Sequence, residues 1–462
     1  MPDLTDTDAQ QTPATSPRDT PARRPWRLRN KVLLGCGSAV LALAIVIVVF
    51  VMVAPDWASV HRVAVQPFPI PGTSVYPGIG AAKFAAVTEG PDGSVVAVGS
   101  TSKLIDPTTP GLGGSNAFVV RSGANGKAWS RIYGGSDDDV FNGVAVQPDG
   151  TIIAVGYTNS FDGNLVTDST NEPGAVIAAI SPSGKLIWHQ TLGNDKTNQF
   201  TTVALAPNGD IIVAGQTNSR SLPSNQSMNM LLRFSAQGEL LWSQAYGPNR
   251  KIEFTSLAVT MTGHIIAAGY STALPGSGDG FSCAQDQSRC GLIVDITSTG
   301  DLVWAKTVTA PGVDQFTGQF NSVSLSGNNI IAVGEIRNNG CWAVMLGPDG
   351  NTIWNNTFAD VYSNDSKLTA ATPEADGNSI IVGFGSLYQE YNQESACILV
   401  ISLDLSGKTV WSHAIRNDNY TELWAVTTTR GGDILAAGYM TATDSTSSDA
   451  YLVALNPDGT MG

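Results

Sequence analysis

Histidine is almost absent from this chain. His61, His189, His264 and His413 are the four among 462 residues, and no two stand at the spacing of a metal site. The sequence also lacks the Gly-x-Ser-x-Gly nucleophile elbow, His-Glu-x-x-His, Cys-x-x-Cys and any glycine-rich phosphate loop. No nucleophile–base signature is present, and neither a cofactor nor a metal is expected. Charge is scarce: Asp, Glu, Lys and Arg make up 14% of the residues, 39 acidic against 25 basic. An acid excess repels phosphate-rich surfaces, which argues against nucleic acid and anionic lipid as partners. Gly, Ser, Thr, Asn and Asp are plentiful instead, as in loop-rich all-β proteins. A length of 462 residues exceeds one small core and fits several domains or one large barrel or propeller.

Charge is missing altogether between Val32 and Pro55, in the run VLLGCGSAVLALAIVIVVFVMVAP. A membrane span takes ~20 apolar residues, whereas a secretory core is usually about 7–15. The run reads as an uncleaved transmembrane signal anchor, residues 32–55. A cleaved signal peptide is the alternative, disfavoured by Pro55 directly after Ala54. Cys36 precedes most of the apolar run, where a lipoprotein cysteine would follow it. The pair Arg23–Arg24 reads as flanking charge rather than a twin-arginine signal. Residues 1–31 are polar and rich in Pro and Thr, so disordered. Their net charge of +2 leaves −16 on the remainder. Positive flanks stay cytoplasmic, so the tail is expected inside a bacterial cell membrane and everything after Pro55 outside it.

The rest of the chain repeats. Seven stretches, among them FNGVAVQPDGTIIAVG and FTTVALAPNGDIIVAG, open with Phe or Leu and close with glycine: Gly99, Gly156, Gly215, Gly269, Gly334, Gly383 and Gly438. Each contains a turn of the Pro-Asp-Gly type and reads as a β-hairpin. A second hairpin follows after a variable loop and carries Trp129, Trp188, Trp242, Trp304, Trp354 or Trp411. Four strands repeated seven times at this period is the pattern of an all-β seven-bladed propeller. Two positions after each opening residue stands a small one (Ala86, Gly143, Thr202, Ser256, Ser322, Ala370, Ala425), as the crowded innermost strand would require. The seventh unit has three strands. The segment 57–65, with Trp57 in a matching context, is expected to supply the fourth and close the domain 56–462.

The stretch YGGSDDDVFNGVAVQPDGTIIAVGYTNS resembles the SBBP-type repeats of bacterial surface proteins. SPSGKLIW also resembles the repeats of quinoprotein-like, PQQ-type propellers. The resemblance covers residues 57–462 and implies a propeller fold while leaving the function open. Quinoprotein dehydrogenases typically have eight blades and often adjacent cysteines; seven units and no Cys-Cys pair depart from that pattern.

In CAQDQSRC, Cys283 and Cys290 suit a local disulfide in an oxidising compartment. Cys341 and Cys397 open equivalent strands of adjacent units and are expected to be separate buried thiols. Asp137–Asp139 could offer oxygen ligands to Ca²⁺, but a solvated loop accounts for them without one. Tight turns gather on one face of such a propeller and long connections on the other. Loops of the second kind carry function. If strand 57–65 follows the anchor directly, the long-loop face points outward. The expected binding residues there are Asp137, Asp138, Asp139, Asp162 and Asp168, beside the Cys283–Cys290 loop. The expected function is a membrane-anchored extracytoplasmic binding or scaffold module for a protein or envelope glycan. The alternative is a propeller enzyme, carbohydrate-active or cofactor-dependent, with its site at the channel mouth.

Overall fold

The structure, a computed structural model, describes residues 81–102, 113–122, 128–165, 173–193, 198–217, 228–247, 252–273, 281–283, 289–311, 318–337, 340–358, 366–386, 396–416, 420–441 and 448–460. These form seven antiparallel sheets in chain order, the blades of an all-β propeller. The innermost strands are Ala82–Glu89, Asp139–Val146, Gln199–Leu205, Ile252–Val259, Gly318–Ser326, Lys367–Pro373 and Tyr420–Thr428. Six blades have four strands. Among the described residues the seventh has three: Tyr420–Thr428, Ile434–Thr441 and Ser448–Leu455. The ring is closed by packing: Leu435 and Ala437 of the seventh blade share a core with Phe84, Val87, Ala97 and Phe118 of the first. Across the same seam the Arg430 backbone N–H donates to Glu89 Oε2 at 3.0 Å, and its guanidinium to the Pro91 carbonyl at 2.6 Å. The tail 1–31, the anchor 32–55 and the segment 57–65 lie outside the described residues. Among the described residues no helix is long and apolar enough to cross a membrane.

The repeated residues have distinct physical reasons. Every innermost strand is bulged between the opening Phe or Leu and the small residue two positions later. The bulge turns a backbone carbonyl onto the Cα of the closing glycine. A Cβ there would lie 1.8–2.2 Å from that oxygen in all seven blades, so only glycine fits. The opening side chains, Phe84 to Leu423, are buried between blades. The turns follow their sequence signature: at Pro148-Asp149-Gly150, Gly150 has φ +85° and Asp149 Oδ1 accepts from the Thr151 N–H at 2.8 Å.

Two sets of contacts join each blade to the next. The outer-strand tryptophan lies against a turn glycine of the following blade: Trp129 on Gly184, Trp188 on Gly238, Trp242 on Gly300, Trp304 on Gly350, Trp354 on Gly407 and Trp411 on Gly459. A Cβ on any of these glycines would come within 2.4–3.5 Å of the indole. Three of the indoles also donate to a carbonyl of that turn, Trp129 to Pro182 at 2.9 Å, Trp242 to Ser298 at 3.1 Å and Trp354 to Leu405 at 3.0 Å. Nearer the axis, the bulged residue donates to the carbonyl of the next blade's opening residue. Asn142 reaches Phe200 and Asn321 reaches Leu368, both at 2.8 Å. Thr201 reaches Phe254 at 2.9 Å, Thr255 reaches Phe320 at 2.8 Å, and Thr369 reaches Leu423 at 2.5 Å.

Cys283 and Cys290 are joined by a disulfide. Cys341 and Cys397 are thiols outside the disulfide, buried in one apolar cluster between the fifth and sixth blades. Burial pushes the Cys341 thiol well above its ordinary range, and the neighbouring Cys397 adds to the shift.

Candidate functional site at the channel mouth

The long connections and the links between blades share one face, as their hydrogen bonds show. Gly113 of a long connection donates to Gly135 of the first inter-blade link at 3.1 Å. Asp138 Oδ1 accepts from the Ser115 N–H at 2.7 Å, and Asp162 Oδ1 from Ser136 N–H and Oγ at 2.7 and 2.9 Å. The Asp137 N–H donates to Ser160 Oγ at 3.0 Å. The two hydrogen bonds from Ser136 hold Asp162 below the ordinary carboxylate range. Asp137, Asp138 and Asp162 therefore knit three loops together. Asp139 corrects the sequence reading. It is fully buried, accepting from Thr158 Oγ1, from Ser160 Oγ at 3.0 Å and from the Gly135 N–H at 2.8 Å. Burial pushes its carboxyl up against the pull of those donors. It fixes the Gly134-Gly135 link rather than facing a partner. Asp168 lies outside the described residues.

On the axis, all seven bulges meet around a space of about 230 Å³. Its lining includes Ala85, Asn142, Thr201, Thr255, Asn321, Thr369 and Trp424, and no side chain in it is charged. Charges gather one step toward the long-loop face: Lys83, Glu253, Lys367 and Glu422 each precede an opening Phe or Leu, Glu335 is the cross-strand partner of Gln319, and Arg289 lies just before the fourth blade's third strand. Glu253 Oε2 accepts from Tyr270 Oη at 2.5 Å and from Gln216 of the preceding blade at 3.3 Å. Arg289 stacks over Tyr270 at 3.9 Å and donates to Gln319 Oε1 at 2.5 Å. Lys367 pairs with Glu335 at 2.8 Å. At the seam, Lys83 lies over the rings of Tyr439 and Trp424, beside Glu422. The three cations and three anions of this rim cancel.

Sequence reasoning missed the rim because no blade contributes more than three of its residues and the second contributes none of those named. One signal was available. The position after the opening residue reads Ala, Asn, Thr, Thr, Asn, Thr, Trp around the ring, and the last of these is unlike the rest.

Three tyrosines, Tyr451 buried, Tyr270 half-buried and Tyr420 partly exposed, set an alkaline limit. Burial, reinforced by Glu253 and Glu422, pushes Tyr270 and Tyr420 up to about 12, and burial alone pushes Tyr451 there. A phenol whose folded pKa is raised favours the fold while protonated. That contribution is full below the unfolded value near 10 and is lost as pH climbs toward 12. The thermal midpoint is expected to fall across that window, with tyrosinate absorbance rising together with unfolding. Tyrosines that ionise near 10 with an unchanged midpoint would contradict this.

A PQQ-type family model, described as outer membrane protein assembly factor BamB, matches residues 227–456, from the third blade to the seventh. No curated protein is similar in sequence. Among solved structures, the Neurospora crassa Pan2 WD40 domain is 12% identical, with 86% of this chain and 95% of that one covered and a TM-score of 0.47. Sqt1 from Chaetomium thermophilum is 10% identical, covering 82% and 97%, with a TM-score of 0.46. A polysaccharide lyase, an ulvan lyase, is 10% identical, covering 82% and 96%, with a TM-score of 0.48. The match of sequence falls on the PQQ-type resemblance rather than the SBBP-type one, on a chain whose described residues build a seven-bladed propeller.

Proposed function

We propose that this propeller is a binding module of a bacterial cell envelope, anchored through residues 32–55 and engaging its partner with the long-loop face. The observation that carries the reading is the use made of the axial side chains. Five of the seven bulged residues are tied into the next blade. The ring is thereby built as a rigid frame, and rigid frames carry recognition on the connections they position. The match to a family described as an assembly factor agrees with a scaffolding role.

The test is a pull-down of the soluble domain, beginning at Pro55, against envelope fractions. It is repeated with Gly-Ser linkers in place of residues 166–172 and 274–280, which leaves Ser160 and Cys283 untouched. A specific partner is expected, with capture reduced at least tenfold by one linker or both. If both variants fold and capture fully, while substitutions in the tight turns abolish it, the working face is the opposite one.

A further inference from the structure

The ring of axial hydrogen bonds is interrupted on one side only. At the seam between the seventh and first blades, the two bulged positions are Trp424 and Ala85. Trp424 turns its Nε1–H back to Glu422 Oε2 at 2.8 Å. Ala85 has no donor, and its small side chain leaves space beside the indole in the shared channel. Local rules that hold elsewhere in a fold are broken where function requires it.

Three aromatic rings are arranged about one carboxylate here. Glu422 accepts from Tyr420 Oη at 2.6 Å and from Trp424, and Tyr439 bonds to it as well. Trp424 and Tyr439 meet edge to face at 5.3 Å. Lys83 Nζ sits 4.1 Å from the Tyr439 centroid and 5.5 Å from that of Trp424. The polar edges are satisfied internally, which fixes the rings. Tyr420 nevertheless remains 49% exposed, and Trp424 faces the channel.

We infer that this seam is a saccharide-binding site, taking one pyranose ring of a neutral glycan against Trp424 and Tyr420; the inference rests on the binding-module reading above. The electron-rich ring faces attract the polarised C–H groups of a sugar. Thr201, Thr255 and Thr369, having donated across the blades, keep acceptor lone pairs for sugar hydroxyls. Charge selects for neutrality: a cation would meet Lys83 and an anion would meet Glu422. The space of about 230 Å³, lined by Trp424 and not by Tyr420, is smaller than the roughly 300 Å³ at which sites for drug-sized ligands begin. It suits a single ring or chain end.

The full-length chain, in a detergent without a sugar head group, is titrated with neutral hexasaccharides of glucose, mannose, galactose and N-acetylglucosamine. Polygalacturonate and polylysine serve as charged controls. One neutral series is expected to bind, and Trp424→Thr to weaken it at least tenfold. The same substitution restores the donor found in other blades, now to the Phe84 carbonyl, so the thermal midpoint should hold or rise. A lower midpoint would make the indole structural and overturn the site. So would sugar affinity that Trp424→Thr leaves unchanged, binding of a charged control alone, or binding of nothing. A partner captured equally by wild type and Trp424→Thr, without sugar binding, overturns this inference and leaves the binding-module reading standing.

Discussion

A chain beginning at Gln66 is expected to melt roughly 10 °C below one beginning at Pro55, taking ~3–5 kcal/mol for a lost buried tryptophan and its strand and about 2–4 °C per kcal/mol. We propose that residues 57–65, outside the described residues, are the fourth strand of the seventh blade. Two observations support this. In each of the first six blades an outer strand covers the third, while Ser448–Leu455 ends its sheet among the described residues. All six outer-strand tryptophans lie on a turn glycine of the next blade. By sequence, the candidates to continue that series are Trp57 and, in the stretch SGANGKAW, Gly126, both outside the described residues. An uncovered strand edge would also promote aggregation. Calorimetry and light scattering on the two chains decide the matter. Equal midpoints and equal solubility would remove the case for closure by this segment.

Trp342→Ala is expected to cost about 3–5 kcal/mol by the general cost of emptying a buried aromatic site. Trp342 is fully buried and stacks on Phe320 with centroids 4.2 Å apart. Its Nε1–H donates to Asn355 Oδ1 at 2.7 Å, and Asn355 in turn donates to the Thr309 carbonyl at 2.8 Å. Gly291 packs so closely that a Cβ there would lie 2.7 Å from the indole. Removing the ring opens a cavity where the surrounding strands cannot collapse, and it leaves Asn355 without its donor, a further ~1 kcal/mol or more. Trp342→Phe should recover most of the packing but not the hydrogen bond, and so fall between. Denaturant unfolding of the three proteins orders them. An alanine variant within 1 kcal/mol of wild type, on the scale of this estimate, would refute the packing account.

The blades were legible because their identity is written in local periodicity. An opening Phe or Leu, a turn and a closing glycine recur within sixteen residues or so in the sequence. The reason for the closing glycine was not legible, since it depends on a bulge that alternation of side chains does not reveal. The same bulge hid the axial set from Asn142 to Trp424, whose residues line the axial space. Asp139 shows a different limit. Composition marks Ser136–Asp139 as a polar loop, yet its last carboxylate is buried because Thr158, at the end of the neighbouring strand, and Ser160, just past it, donate to it. Trp342 stands outside the repeated tryptophan positions, so nothing in the pattern distinguishes it. The rim charges were invisible because most of them meet partners only when neighbouring blades pack, far apart in the sequence.

The tryptophan–glycine contacts all run in one sense, from each blade to the one that follows it in the chain. During synthesis from the N-terminus, an emerging blade would therefore carry an uncovered indole until the next turn arrives to cap it. Folding becomes a relay of six short-range steps, each joining neighbours along the sequence. One step differs: the union of the last blade with the first, where Arg430 reaches Glu89 across 341 positions. The entropy of that closure grows only with the logarithm of the intervening length, so the long span is a modest barrier. The seam is nonetheless the last joint to form. An incomplete ring would expose its unsealed edges, the kind of surface on which partly folded chains associate. Trp424 and Lys83 meet across this joint, so the aromatic rim at the channel mouth takes shape only when the whole ring has folded.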